Sequence, residues 1–167
     1  MAMRLKTVQF VSLVLVILVT GVFWDSWLGL SRSIQTFTPD TFLAIGHTMI
    51  GNLGPVMPVL VTLAVLSQVV LLVQLRASGS NAFLPSLIAF ALLLIAVAVT
   101  LLIEVPIDNQ IKSWTPASLP ADWTRLRDRW EAFHVLRTFS ALAGVIVLTA
   151  ATVFGRQPDR AEPGTVR

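Results

Sequence analysis

Residues 41–75 read TFLAIGHTMIGNLGPVMPVLVTLAVLSQVVLLVQL, thirty-five positions between Asp40 and Arg76 with no Lys, Arg, Asp or Glu. A helix crossing the hydrocarbon core of a bilayer needs about 20 mainly apolar residues. This run is longer, roughly 54 Å if residues 40–75 form one helix at 1.5 Å per residue, against a core of about 30 Å. The excess contains Gly51-Asn52-Leu53-Gly54-Pro55 and then Pro58. A proline inside a helix removes a hydrogen bond and crowds the preceding turn. The sequence therefore predicts a first helical segment near Asp40–Ile50, started by Thr38-Pro39, then a kink, then a span over Val56–Leu75.

Working outward, three more charge gaps follow the same logic. They lie between Lys6 and Asp25, between Arg76 and Glu104, and between Arg137 and Arg156. They predict spans near Val8–Phe23, Phe83–Ile103 and Thr138–Phe154. The runs are continuously apolar and lack the alternation of a membrane barrel, so the spans are helices. The fourth helix is expected to start near Ser118-Leu119-Pro120 and to project beyond the bilayer, because no Gly or Pro interrupts Asp122–Arg137. The fold class is thus an all-α integral membrane four-helix bundle, with a kinked second helix and an extended fourth. Residues 1–155 form one domain, and 156–167 a polar tail expected to be disordered.

Composition agrees. Of 167 residues, 55% are hydrophobic and 13% charged, and mean hydropathy is +0.79; soluble domains carry roughly 25% charge. This excludes a soluble globular protein, a disordered chain and a nucleic-acid binder. The absence of cysteine excludes disulfides, thiolate metal sites and thiol redox chemistry. The basic first segment is not followed by a small-x-small cleavage site; Phe23, Trp24, Asp25 and Trp27 come instead, so the first span is read as retained. An even number of spans puts both termini on one side. Basic residues divide six and six between the sides, but seven of the nine acids fall on the loop side. We read the termini as cytoplasmic and the membrane as the cell membrane. The sequence leaves self-association into a homo-oligomer open.

Polar chemistry concentrates on the side opposite the termini. Trp123, Arg127, Trp130, His134 and Arg137 recur at spacings of 4, 3, 4 and 3, one stripe on a helix. The stripe continues into Ala141 and Gly144. Arg137 is the deepest charge in the chain, and such a charge is costly unless paired or used; Glu104, at the end of the third span, is its expected partner. His47 lies on the same side. Trp24, Trp27 and Trp114 read as interface anchors, and Arg125 and Arg129, off the stripe, as solvated or ion-paired. The two histidines and nearby carboxylates make a poor metal set, and no phosphate loop, nucleophile elbow or HExxH is present.

The pattern V-P-I-D-N over 105–109, followed by W-x-x-L-R-x-R-W-x-x-x-H-x-x-R-T over 123–138, resembles the anthrone-oxygenase-like (DUF1772) family of small four-span membrane proteins. Pro106, Asn109, Trp130, His134, Arg137 and Thr138 match the family pattern; the family often carries Asn where this chain has His134. The resemblance implies a membrane oxygenase that oxidises a small apolar aromatic, an anthrone or phenol, with O2 and without metal or flavin. On that reading His134 or His47 is the base. Arg137 and Arg127 stabilise the oxyanion, Asn109 donates a hydrogen bond, Trp123 and Trp130 stack on the ring, and Glu104 pairs with Arg137. Two readings from other classes stand beside it. One is a haem- or quinone-binding redox module with His47 and His134 as axial ligands. The other is a non-enzymatic membrane subunit or small-lipid binder using the same stripe.

Overall fold

A computed structural model describes residues 2–155; the expected tail over 156–167 lies outside the described residues. All regular structure within them is helical: α1 (Ala2–Gly29), a 3₁₀ turn (Ser31–Thr36), α2 (Pro39–Ala77), α3 (Phe83–Val99), a π turn (Thr100–Glu104), α4 (Val105–Ser113) and α5 (Trp123–Phe154). Four stretches are long and apolar enough to cross a membrane, with α3, the π turn and α4 forming one of them. The chain is an integral membrane helical protein.

The start of α2 follows the sequence expectation. Thr38 is the N-cap and accepts from the Thr41 N–H, and Pro39 opens the first turn, where its missing N–H costs nothing. Beyond that the structure differs. Instead of two segments, α2 is one helix of 39 residues that stays helical through Pro55 and Pro58. Each proline deletes one hydrogen bond, whereas unwinding the segment would strip several backbone groups that lipid cannot satisfy. α5 begins at Trp123, after the expected Ser118-Leu119-Pro120. The hydroxyl of Ser118 is already committed to a preceding turn, accepting from the Thr115 N–H at 2.9 Å.

The π turn was not legible in the sequence. The N–H of Val105 bonds the Thr100 carbonyl, the i→i−5 pattern of a π helix. Pro106 follows at once; it lacks an N–H and crowds the turn before it. The extra residue rotates the helix face, and Glu104 ends fully buried.

α1 packs along α2 and α5, and α3 along α5, whereas α2 and α3 touch more sparsely. The α3–α5 contact is tight at Gly144, where an added Cβ would stand 3.2 Å from the Ala89 carbonyl oxygen. The membrane core is built from residues such as Val16, Val19, Leu71, Leu93 and Leu148. A second apolar cluster forms a cap at the end of the bundle away from the termini: Ile34, Phe42, Leu43, Ile107, Ile111 and Trp114. Trp114 is buried there, 7% exposed. This corrects its reading as an interface anchor: α4 ends at Ser113 and turns the indole inward against the cap. Trp24 and Trp27 pair with each other at 5.0 Å and meet Phe139 of α5 edge-on.

Candidate functional site

The sparse contact between α2 and α3 leaves a partly open cavity of about 560 Å³ lined by α1, the 3₁₀ turn, α2, α3, α4 and one face of α5. Its walls are mostly apolar. Its polar lining includes Asp108, Asn109, Lys112, Arg137, Thr100 and the Trp130 indole. Leu101 and Val105 line it and are also exposed, 61% and 39%, so it borders the lipid-facing side of the third span.

The predicted stripe on α5 is real, and the structure divides it. Arg127, His134, Thr138, Ala141 and Gly144 are buried. Of the stripe, Trp130 and Arg137 reach the cavity. Arg137 is the centre of the arrangement. Its Nη2 lies 3.0 Å from Oε2 of Glu104, with side chains 12% and 0% exposed. Both Glu104 oxygens lack an aligned hydrogen bond among the described residues, so the pairing is Coulombic rather than a directed bidentate bond. Nη1 donates to Thr100 Oγ1 at 3.3 Å. The guanidinium stands 4.5 Å above the Phe23 ring. Such a charge is tolerated at this depth because partners surround it.

His134 holds Arg137 from the other side. Its Nδ1 accepts from Nε at 3.2 Å and lies 2.8 Å from Nη2. For Nδ1 to accept, the ring proton must sit on Nε2, which is buried and finds no partner among the described residues. The imidazole stacks on Trp130, centroids 4.8 Å apart and planes 5° apart. The Trp130 indole N–H donates to Asp108 Oδ1 at 3.1 Å. A connected chain thus runs from Glu104 through Arg137, His134 and Trp130 to Asp108.

Other expected site residues lie elsewhere. His47 Nε2 is 2.9 Å from the Ile111 carbonyl at the cap surface, and neither histidine lines the cavity. Arg127 donates from Nη2 to Gln35 Oε1, and from Nε and Nη2 to Asp128 Oδ1 at 2.9 and 2.8 Å, and its guanidinium lies 5.1 Å over Trp123. Trp123 meets Phe42 at 5.1 Å. These two brace the cap, tying α5 to the 3₁₀ turn, and do not line the cavity. Arg125 is surface-exposed and paired with Asp122. Asn109 does line the cavity, and its Oδ1 accepts from Lys112 Nζ at 3.2 Å. Among the described residues no three His, Asp or Glu side chains gather as a metal site.

Sequence reasoning passed over Asp108 as a reactive group. Among the described residues it is the one carboxylate lining the cavity. The available signal was its place in V-P-I-D-N, four residues after Glu104 and so on the same helix face. Lys112, a further four residues on, was passed over for the same reason.

No curated protein and no solved structure matches the chain. The family model described as "Anthrone oxygenase" matches residues 42–147, well over half of the chain, from the α2 wall of the cavity to the α5 residues that floor it. The chain belongs to the anthrone oxygenase family.

Proposed function

We propose that the protein oxidises an apolar aromatic with an acidic C–H or O–H, an anthrone or phenol, using O2 in the cavity between α2 and α3. The observation that supports this best is that Asp108 and the Arg137 guanidinium both line one cavity whose walls are otherwise mostly apolar. A carboxylate able to take a proton, and a fixed cation able to hold the resulting anion, are the two groups that base-assisted oxygenation requires.

The substrate enters from the bilayer and lies against Trp130 and Phe23. Asp108 takes the proton. Arg137 holds the anion, with the Asn109 amide N–H donating, since the Asn109 oxygen is occupied by Lys112. The apolar walls exclude water and strengthen these interactions. The anion passes one electron to O2, and the radical and superoxide combine at the carbon. Asp108 returns its proton to the peroxide, and loss of water leaves a carbonyl. One oxygen atom enters the product, the other leaves as water, and no external reductant is consumed. Glu104 and His134 position Arg137. His134 and His47, the bases expected from the sequence, do not line the cavity, and His134 Nδ1 is held by Arg137. With the termini read as cytoplasmic from the charge distribution, the polar end of the cavity faces the outside.

The test is oxygen uptake with dihydroxyanthrone by the purified protein in lipid nanodiscs. Asp108→Asn is expected to lower kcat about 10²- to 10⁴-fold, the usual worth of a positioned base, with the folded fraction unchanged. Full turnover by this variant would remove Asp108 as the base.

A further inference from the structure

The cavity is much longer than three fused rings. Its α2 wall is a stripe recurring every three or four residues, through Gly46, Met49, Leu53, Met57, Val61 and Val65. From Phe42 to Leu66 that stripe covers roughly 36 Å at 1.5 Å per residue. Two contacts set its register. Gly46 stands beside Ile111 at the cap, and Arg76 lies over Phe83 at the opposite end of the α2–α3 pair. Higher numbers on α2 therefore lie deeper, toward the side of the termini.

Polarity is distributed unevenly along this length. Asp108, Asn109 and Lys112 lie capward of Thr100, and Arg137 reaches in at Thr100 itself. Among the described residues, the lining deeper than Thr100 is Val22, Val61, Val65, Leu66 and Val97, with Thr62 the only hydroxyl. The cavity is a polar chamber with an apolar extension below it.

We infer that the substrate is an amphiphile: a phenolic ring bearing a long aliphatic chain, its ring at Asp108 and Arg137 and its chain in the extension toward Val65 and Val97. This rests on the oxygenase reading and adds the shape of the substrate. Two arguments select this occupant over a fatty acid. A carboxylate head would meet Arg137 and Lys112 but also Asp108, whose charge opposes it. A neutral phenol donates to Asp108 and becomes anionic only after giving up its proton. The chain gains nothing by hydrophobic transfer, since lipid tails are as apolar as the groove; its role is to orient the ring through packing.

The experiment uses two probes with the full chain in phosphatidylcholine nanodiscs: dihydroxyanthrone, and its dodecyl derivative carrying a diazirine at the chain end. Both are expected to be oxidised, and photolabel is expected on Val61, Thr62, Val65 and Val97, which line the extension. Val65→Trp is expected to lower the ratio of kcat/KM for the chain-bearing over the tailless substrate about tenfold, about 1.4 kcal/mol, because the indole fills the extension. Each substrate partitions alike in the assays of wild type and variant, so partitioning cancels in the change of that ratio. Label confined to lipid-facing residues such as Val69, Val73 and Ile88, with dihydroxyanthrone still oxidised, would overturn the chain site and leave the oxygenase reading standing. Label in the extension without oxidation of either probe would overturn the oxygenase reading and keep the chain site. Neither label nor oxidation would overturn both.

Discussion

At the residue scale, the buried charge pair sets the energetics of the site. Glu104 is fully buried against an Arg137 that is 12% exposed. Removing one member of a buried pair leaves the other uncompensated, at a cost of about 3–5 kcal/mol. Glu104→Ala is therefore expected to lower the unfolding midpoint in detergent far more than a surface Glu change. An unaltered midpoint would mean that Arg137 is neutralised by another partner. Arg137→Lys keeps the charge but not the fork that reaches Thr100 and His134 together, and arginine and lysine are not interchangeable at such sites. Its turnover of dihydroxyanthrone is expected to drop with little loss of folded protein. Arg127 provides the contrast, because its partners are Gln35, Asp128 and the Trp123 face in the cap. Arg127→Ala is expected to lower stability by about 1.5–3 kcal/mol, the range for a hydrogen bond to a charged group, while turnover per folded molecule holds. A selective loss of turnover would return Arg127 to the site.

At the element scale, two local irregularities place the site. The π turn before Pro106 brings Glu104 inside and leaves Asp108 one turn further on, at the cavity. Gly144 lets α5 approach α3 closely enough for Arg137 to reach Thr100. Gly144→Val adds bulk at a Cβ position already 3.2 Å from the Ala89 oxygen. Overpacking of this kind costs about 1–3 kcal/mol, and it should push the two helices apart. A lower unfolding temperature and reduced turnover are expected together. The capping signal at Thr38-Pro39 and the charge gaps were legible because they depend on local chemistry. The π turn was not, because its register is settled by what Glu104 meets when it turns inward. The persistence of α2 through Pro55 and Pro58 has the same origin: lipid offers the freed backbone groups no alternative partner.

At the scale of the whole molecule, the helices outrun the bilayer. α2, with 39 residues, is about 58 Å long at 1.5 Å per residue, nearly twice the hydrocarbon core. The surplus forms the cap around Trp114, Ile107 and Phe42, and the polar end of the cavity lies beneath it. With cytoplasmic termini, a reporter fused after Arg167 is expected to be active only in its cytoplasmic form; activity of an exported reporter would invert the molecule. Sequence by itself determined the class and the outline: four apolar helices and a stripe of Trp, Arg and His entering the last span. Those properties follow from composition and from a periodicity of 3.6 residues, which neighbouring chain segments do not alter. Only the tertiary structure decided which members of the stripe meet the cavity. Arg127 and Arg137 have the same side chain and lie on the same face of α5. One braces a cap and the other floors a cavity, because the 3₁₀ turn offers Gln35 to the first and the π turn delivers Glu104 to the second. A side chain's role at this depth is set by the partner that compensates its desolvation, and that partner comes from a helix distant in sequence.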